Sequence, residues 1–133
     1  MALPVPGEID LGNGWTLASD SLSTPGLLAN AGSSNPGGFQ AWVDEASLPA
    51  PLSVRCRLPG DRFSPLGMDG QSLKLSDFMI NVKMPRRARP GWPLVVSGSE
   101  IVWVPGYRLA HPFRITPETT RAVHMRLYSA SPS

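Results

Sequence analysis

The chain lacks most of the features that mark a membrane, secreted or metal-binding protein. No apolar run approaches the roughly 20 residues needed to span a bilayer, so no membrane partner is expected, and the first residues do not resemble a signal peptide. The single cysteine, Cys56, excludes an internal disulfide and favours a reducing compartment. His111 and His124 lack the spacing from cysteines or acids that a metal site needs. The phosphate-binding motif G-x-x-x-x-G-K and the nucleophile motif G-x-S-x-G are also absent, so neither a metal nor another cofactor is expected in this chain.

Lysine and arginine are missing from the first 53 positions, which carry five acids and a net charge of −5. All twelve basic residues lie in the rest of the chain, where they meet five acids and give a net charge of +7. The overall charge of +2 therefore hides a strongly divided chain. Such a division predicts a polyanionic partner for the second part.

Proline and glycine are frequent, at 15 and 13 residues, but they lie between apolar runs rather than in repeats. This pattern predicts short strands joined by rigid turns. We expect an α+β fold that is mostly β, with short antiparallel strands in a sandwich-like arrangement and one clear helix at about 72–82. Residues 1–50 should form a β-rich N-terminal segment with a mobile loop near 20–37, and residues 51–133 a C-terminal domain.

Three segments carry the main structural predictions. Residues 52–58 alternate apolar and polar side chains, which predicts a strand with Leu58 on its buried face and Arg55 and Arg57 on the other. Ser72 is predicted to cap the helix, whose apolar stripe has the period of an α-helix. The stripe consists of Leu75, Phe78, Met79 and Val82. Pro85 ends the helix and begins a second short helix or turn that carries three arginines.

The basic residues of the second part are the main candidates for a binding site. They are Arg55, Arg57, Arg62, Lys74, Lys83, Arg86, Arg87 and Arg89. Guanidinium and ammonium groups bind phosphates, and such contacts dominate affinity for nucleic acids. The alternative is a basic face that only contacts solvent. Trp92 follows the arginines and is a candidate for stacking on bases, whereas Trp103 lies in an apolar strand and should belong to the core.

Residues 55–106 resemble the C-terminal domain of tRNA(Ile)-lysidine synthetase in the order and spacing of many short elements, and the resemblance continues more loosely to about Leu127. The matching elements are Arg57, Pro59-Gly60-Asp61-Arg62-Phe63, Pro65-Leu66-Gly67, Gly70, Lys74-Leu75, Asp77-Phe78, Lys83, Pro85-Arg86, Arg89, Pro93-Leu94 and Val104-Pro105-Gly106. Residues 6–17 also resemble the β-rich segment that precedes this domain in the longer bacterial enzymes.

This resemblance implies a cytoplasmic RNA-modifying ligase. The family uses ATP to join lysine to the wobble cytidine of an isoleucine tRNA, in an N-terminal catalytic domain that carries a Ser-Gly-Gly-x-Asp-Ser loop. The loop is absent here, so the chain alone should have no ligase activity and no catalytic residue, and ATP should bind only to the parent enzyme. By resemblance, residues 51–133 bind the acceptor-stem region of the tRNA and position it for that catalytic domain. The expected tRNA-binding residues are Arg57, Arg62, Lys74, Lys83, Arg86, Arg87 and Arg89.

Two other functions remain open at this point. The chain could be a structural domain that docks onto the catalytic part and makes no direct RNA contact. It could also be an independent hydrolase that uses Asp61 and His111, although only the residue types favour this reading. Salt dependence separates the first two, because phosphate binding weakens steeply with salt and apolar docking does not.

Overall fold

Alternating side chains from the two ends of the described chain build a four-stranded antiparallel sheet. In the computed structural model, which describes residues 2–12, 14–23 and 39–129, its strands run in the order β1-β2-β10-β3. They are β1 (Gly7–Gly12), β2 (Trp15–Ser23), β3 (Gln40–Asp44) and β10 (Arg121–Ser129). The hairpin of β1 and β2 agrees with the β-rich N-terminal segment predicted from the sequence. Because β10 pairs with both β2 and β3, the two ends of the described chain share one sheet, and the predicted division near residue 50 stays a prediction.

A second antiparallel sheet forms from the middle of the chain, in the order β4-β7-β8-β9. Its strands are β4 (Leu52–Arg55), β7 (Leu94–Ser97), β8 (Glu100–Val104) and β9 (Arg108–Leu109). Gly98 joins β7 to β8 with a φ of 61°, in the left-handed region where glycine avoids a side-chain clash. Two apolar runs on either side of a two-residue turn that contains glycine are typical of such a hairpin.

A short ribbon and one helix lie between β4 and β7 of the second sheet. The ribbon pairs β5 (Arg62–Phe63) with β6 (Leu73–Lys74), and the α-helix α1 (Leu75–Asn81) follows β6 directly. Short 3₁₀ helices occupy Glu45–Ser47, Arg86–Ala88 and His111–Phe113. The described part of the chain has no helix that is long and apolar enough to cross a membrane.

One hydrophobic core draws side chains from both sheets and from the helix. Leu17 and Met125 come from the first sheet, Val95 and Trp103 from the second, and Phe78 from α1. Phe78 packs edge-on against Phe63, with 4.8 Å between ring centroids. Both sheets therefore turn one face toward a shared interior, which confirms the predicted mostly β, sandwich-like α+β fold with one helix.

The helix was predicted correctly in kind and burial but not in its start. Three members of the stripe, Leu75, Phe78 and Met79, are buried, and Val82 is half-buried at the C-cap. Ser72 does not cap α1, because its hydroxyl accepts a hydrogen bond from Arg62 and the next two residues pair with β5. Leu73 and Lys74 therefore form β6, and the helix begins only at Leu75.

Two further predictions were wrong at their edges. The strand predicted over 52–58 ends at Arg55, and Leu58, expected in the core, is 55% exposed. The chain turns away there because the carboxylate of Asp61 accepts hydrogen bonds from Arg55 and from the Leu58 N–H. The loop predicted near 20–37 starts later, because residues 20–23 continue β2 against β10. The rest of that loop, 24–37, lies outside the described residues.

Candidate nucleic-acid interface

A fixed turn after α1 presents a group of exposed cations. The helix ends at Asn81, and Lys83 takes a left-handed conformation with φ of 61°. Pro85 then starts the 3₁₀ helix Arg86–Ala88, closed by a hydrogen bond from the Ala88 N–H to the Pro85 carbonyl. We call residues 83–89 the basic turn. Its backbone is held in one shape by these bonds and by the proline.

Four cations are available for an external ligand. Lys83, Arg86 and Arg87 on the basic turn are exposed, as is Lys74 at the end of β6. None of these four side chains forms a hydrogen bond or ion pair with any residue that the structure describes. The prediction that the arginines after Pro85 lie on a short helix or turn is confirmed.

The other three predicted tRNA-binding residues make contacts within the chain. Arg57 is half-buried and places Nη1 3.7 Å from Sδ of Met79 on α1. Arg62 is exposed and donates to the hydroxyl and carbonyl of Ser72. Arg89 is half-buried, and its Nε donates to the Met84 carbonyl at 2.9 Å. These side chains support local structure whether or not they also contact a ligand.

Arg55, which belonged to the basic cluster in the sequence, is neutralised by an internal partner. Its guanidinium donates two hydrogen bonds to the Asp61 carboxylate, at 2.9 and 3.0 Å. The Leu58 N–H donates a third at 2.7 Å. Burial alone raises the pKa of Asp61, but the hydrogen bonds from Arg55 and Leu58 and the charge of Arg55 outweigh it and lower the pKa below its usual value. Asp61 is therefore a fixed anion.

The hydrolase alternative finds no support at these residues. A carboxylate with a lowered pKa and three donors is a poor general base, because its lone pairs are occupied. No hydrogen bond joins Asp61 to His111 within the described residues, and the backbone N–H of His111 donates to the Ser64 carbonyl. Across the same described ranges, no group of three or more acids, histidines or cysteines could hold a metal ion.

The acids of the first part lie on the opposite face of the first sheet from the core. Alternation along paired strands places Glu8, Asp20 and Asp44 on the same outer face as Arg126 and Tyr128. Arg126 approaches Asp20 at 3.4 Å. Tyr128 donates to Glu8, and this hydrogen bond, together with burial and the Glu8 charge, raises the pKa of Tyr128. The acidic face of the first sheet thus also carries a basic residue from the second part of the chain.

His124 on this outer face is stacked on an aromatic ring. Its imidazole lies parallel to the Trp42 ring, with 4.4 Å between ring centroids, and its Nε2 forms a hydrogen bond with Oε1 of Gln40 at 2.9 Å. Burial and the nearby charge of Arg126 lower the pKa of His124, against a smaller opposing effect of Asp20. His124 therefore adds little positive charge at neutral pH.

Trp103, Trp92 and Trp15 differ in how far their rings are exposed. Trp103 is fully buried in the core, as predicted. Trp92 is half-buried, and its Nε1 donates to the Pro105 carbonyl at 2.8 Å, so this ring has a structural role. Trp15 and Phe39, which were not selected from the sequence, are 38% and 43% exposed and nearly parallel to each other. Only the packing of distant segments brings these two rings together, so no local pattern could have revealed them.

The fold and the charged surface together define a small, mostly β accessory domain with a fixed basic turn. Comparison with known families makes this more specific. The family described as the TilS substrate C-terminal domain matches residues 52–126, and the chain belongs to this family.

Comparison with individual proteins agrees with the assignment. The chain is 39% identical over 122 residues to tRNA(Ile)-lysidine synthase of Symbiobacterium thermophilum, a match that covers 91% of this chain and 24% of the relative. The enzyme of the same name from Dehalococcoides mccartyi is 36% identical, with 92% and 26% covered. The crystal structure of the TILS C-terminal domain superposes with a TM-score of 0.79 at 30% identity, and covers 98% of this chain and 96% of that one. The chain thus spans about a quarter of the length of these two synthases.

Proposed function

We propose that this chain is the tRNA-binding C-terminal module of a tRNA(Ile)-lysidine synthetase. In this proposal it holds the tRNA near the acceptor stem, while a separate catalytic domain uses ATP to attach lysine to the wobble cytidine. The reaction takes place in the cytoplasm, and the module contributes binding rather than a catalytic group. The names and coverage of the relatives support the parent enzyme, and the charges described above support the binding role.

The observation that carries the binding role is the set of unpaired cations on the basic turn. Lys83, Arg86 and Arg87 are exposed and have no partner among the described residues. Phosphate oxygens are well matched by guanidinium groups, which can donate two hydrogen bonds at once. Because Pro85 and the internal hydrogen bonds hold the turn, these side chains lose less freedom on binding than they would on a mobile loop.

The same surface favours RNA of defined shape over a particular sequence. Double-stranded RNA is recognised mainly through its shape, its phosphates and its 2′-hydroxyl groups. The exposed groups of the basic turn are cations that bind phosphates. We therefore expect the module to bind tRNA more tightly than DNA of equal length, with little preference for base sequence.

The test is a comparison of two double variants in tRNA binding across a range of salt concentrations. Arg86→Ala with Arg87→Ala should weaken binding and lower the slope of log affinity against log salt by about 1.4–1.8, since each lost phosphate contact removes roughly 0.7–0.9. Arg121→Ala with Arg126→Ala is the matched control, because these arginines are also exposed but lie on β10 beside Glu45 and Asp20. Fluorescence anisotropy of labelled tRNA gives both affinity and slope.

A second candidate function, a docking domain without RNA contact, is favoured by one observation. Arg57, Arg62 and Arg89 already have partners within the chain. If the Arg86 and Arg87 variant binds tRNA with unchanged affinity and slope, the phosphates do not contact the basic turn. If the unchanged chain shows no salt-dependent tRNA binding at all, the docking function is the better one.

A further inference from the structure

Four aromatic side chains form two ring pairs on either side of Gly106. Trp15 and Phe39 are nearly parallel, with an interplanar angle of 7° and 6.2 Å between ring centroids. Trp92 and Tyr107 meet edge-on at 5.5 Å. Gly106 lies between these pairs, where an added Cβ would be 3.5 Å from both the Phe39 and the Trp92 rings. We call these four side chains the aromatic row.

The two ends of the aromatic row differ in exposure. Trp92 and Tyr107 are half-buried, and the Trp92 ring is fixed by its hydrogen bond to Pro105. Trp15 and Phe39 are more than a third exposed, although large aromatic side chains contribute most to stability when they are buried. The backbone of Phe39 is held because its carbonyl accepts a hydrogen bond from the Leu127 N–H. Trp15 therefore lies on a paired strand, and Phe39 immediately precedes β3 and is held to β10.

Trp92, a member of the aromatic row, follows the basic turn closely in the sequence. Arg87 precedes Trp92 by five residues, so their Cα atoms are no more than about 17 Å apart even if the chain between them were fully extended. The acids Glu8 and Asp20 lie on the other face of the first sheet from Trp15, so they do not place negative charge beside its ring. Exposed flat rings together with unpaired cations on one domain are the combination by which proteins bind single-stranded nucleic acid.

We propose that Trp15 and Phe39 stack on unpaired bases of the RNA whose phosphates contact the basic turn. This inference rests on the proposed function and adds a second kind of contact to it. The ligand is a short unpaired RNA segment that continues from a helix, such as a single-stranded 3′ end. Recognition is through the faces of the bases, so it is largely independent of base identity.

The experiment compares an RNA hairpin that has a blunt end with the same hairpin carrying a four-nucleotide 3′ overhang. The unchanged chain should bind the overhang form at least about fivefold more tightly, since one stacked base contributes about that much or more. Trp15→Leu with Phe39→Leu should remove this advantage and leave the blunt-end affinity and its salt slope unchanged. A 2-aminopurine base in the overhang should lose fluorescence on binding to the unchanged chain and not to the leucine variant.

Two controls make the result specific for stacking. Trp15→Tyr with Phe39→Tyr keeps aromatic faces and should keep the overhang advantage. Tyr128→Leu removes an aromatic ring of similar exposure, 39%, from the other face of the same sheet and should also keep it. Urea unfolding of each variant shows whether it is folded. If the leucine variant does not fold, the 2-aminopurine signal with the unchanged chain still tests the inference, because absence of quenching would overturn it.

The outcomes separate this inference from the proposed function. If the overhang brings no advantage while blunt-end binding remains salt-dependent, the stacking inference is overturned and the basic turn still binds RNA. If the leucine variant keeps the advantage, the rings do not stack on bases, and the exposed patch is an apolar contact for protein. Loss of salt-dependent binding to both RNAs would overturn the proposed function together with the inference.

Discussion

Replacing Asp61 by asparagine tests whether the Arg55–Asp61 pair is a structural element that ends β4 and starts the turn before α1. The change keeps the size of the side chain and removes its charge. The two guanidinium bonds, at 2.9 and 3.0 Å, then lose charge assistance, and only one of the two can be kept by the amide oxygen. The Leu58 N–H, at 2.7 Å from the carboxylate, also loses an ionic acceptor.

The expected magnitude follows from the partial burial of the pair. Their side chains are 26% and 13% exposed, so the pair lies between two reference cases. Exposed ion pairs contribute about 0–1 kcal/mol, and removal of one partner of a fully buried pair costs about 3–5 kcal/mol. We expect Asp61→Asn to lower the free energy of unfolding by about 2 kcal/mol. Asp69→Asn is the matched control, because Asp69 is exposed and its side chain has no partner among the described residues.

The effect should depend on pH in a defined direction. The pKa of Asp61 is lowered in the folded chain, so the unfolded chain binds the proton first as the pH falls. The stabilisation is complete above the ordinary aspartate pKa of about 3.9 and is lost as the pH falls through the folded value. Urea unfolding of the Asp61→Asn and Asp69→Asn variants at pH 6 and pH 3.5 should therefore show a smaller gap between their free energies of unfolding at the lower pH. A cost below about 0.5 kcal/mol, the range of neutral surface changes, or a gap independent of pH would refute the structural role of the pair.

Two further predictions concern the core and the chemistry. Phe78→Ala should cost about 3–5 kcal/mol in urea unfolding through the cavity it leaves, since Phe78 is 3% exposed and packs on Phe63; Ile80→Ala, 55% exposed on the same helix, should change stability by less than about 0.5 kcal/mol. Because the sequence has no phosphate-binding loop motif, this chain alone should form no lysidine from tRNA, lysine and ATP, and turnover above background in a labelled-lysine assay would contradict this.

Sequence patterns predicted elements whose stability is local and missed those set by distant partners. The period of Leu75, Phe78 and Met79 identified the helix because an amphipathic stripe has to face a core. Its start was wrong because Ser72 is engaged by Arg62, ten residues earlier. The strand at 52–58 was too long for a similar reason, since a charge pair six residues apart turns the chain where alternation alone would continue it.

The same distinction explains how much of the candidate site was visible. Proline on one side of three arginines is a local signal, and the exposed Arg86 and Arg87 follow it. Arg57 looked equivalent in the sequence, but its partner Met79 is 22 residues away. Trp15 and Phe39 meet only because β2 and the chain just before β3 lie on either side of β10. No spacing rule connects such positions before the sheet order is known.

Folding also changes the meaning of the charge division. The net charge of +7 in the second part suggests a broad basic surface, yet three of its arginines are paired with acids. Arg55 is bound by Asp61, and β10 carries Arg121 and Arg126 into the acidic first sheet, beside Glu45 and Asp20. What remains without a partner among the described residues is concentrated in Lys74 and the basic turn. Because unpaired cations bind an external phosphate without first breaking an internal ion pair, RNA affinity should depend on these few residues and not on the total charge.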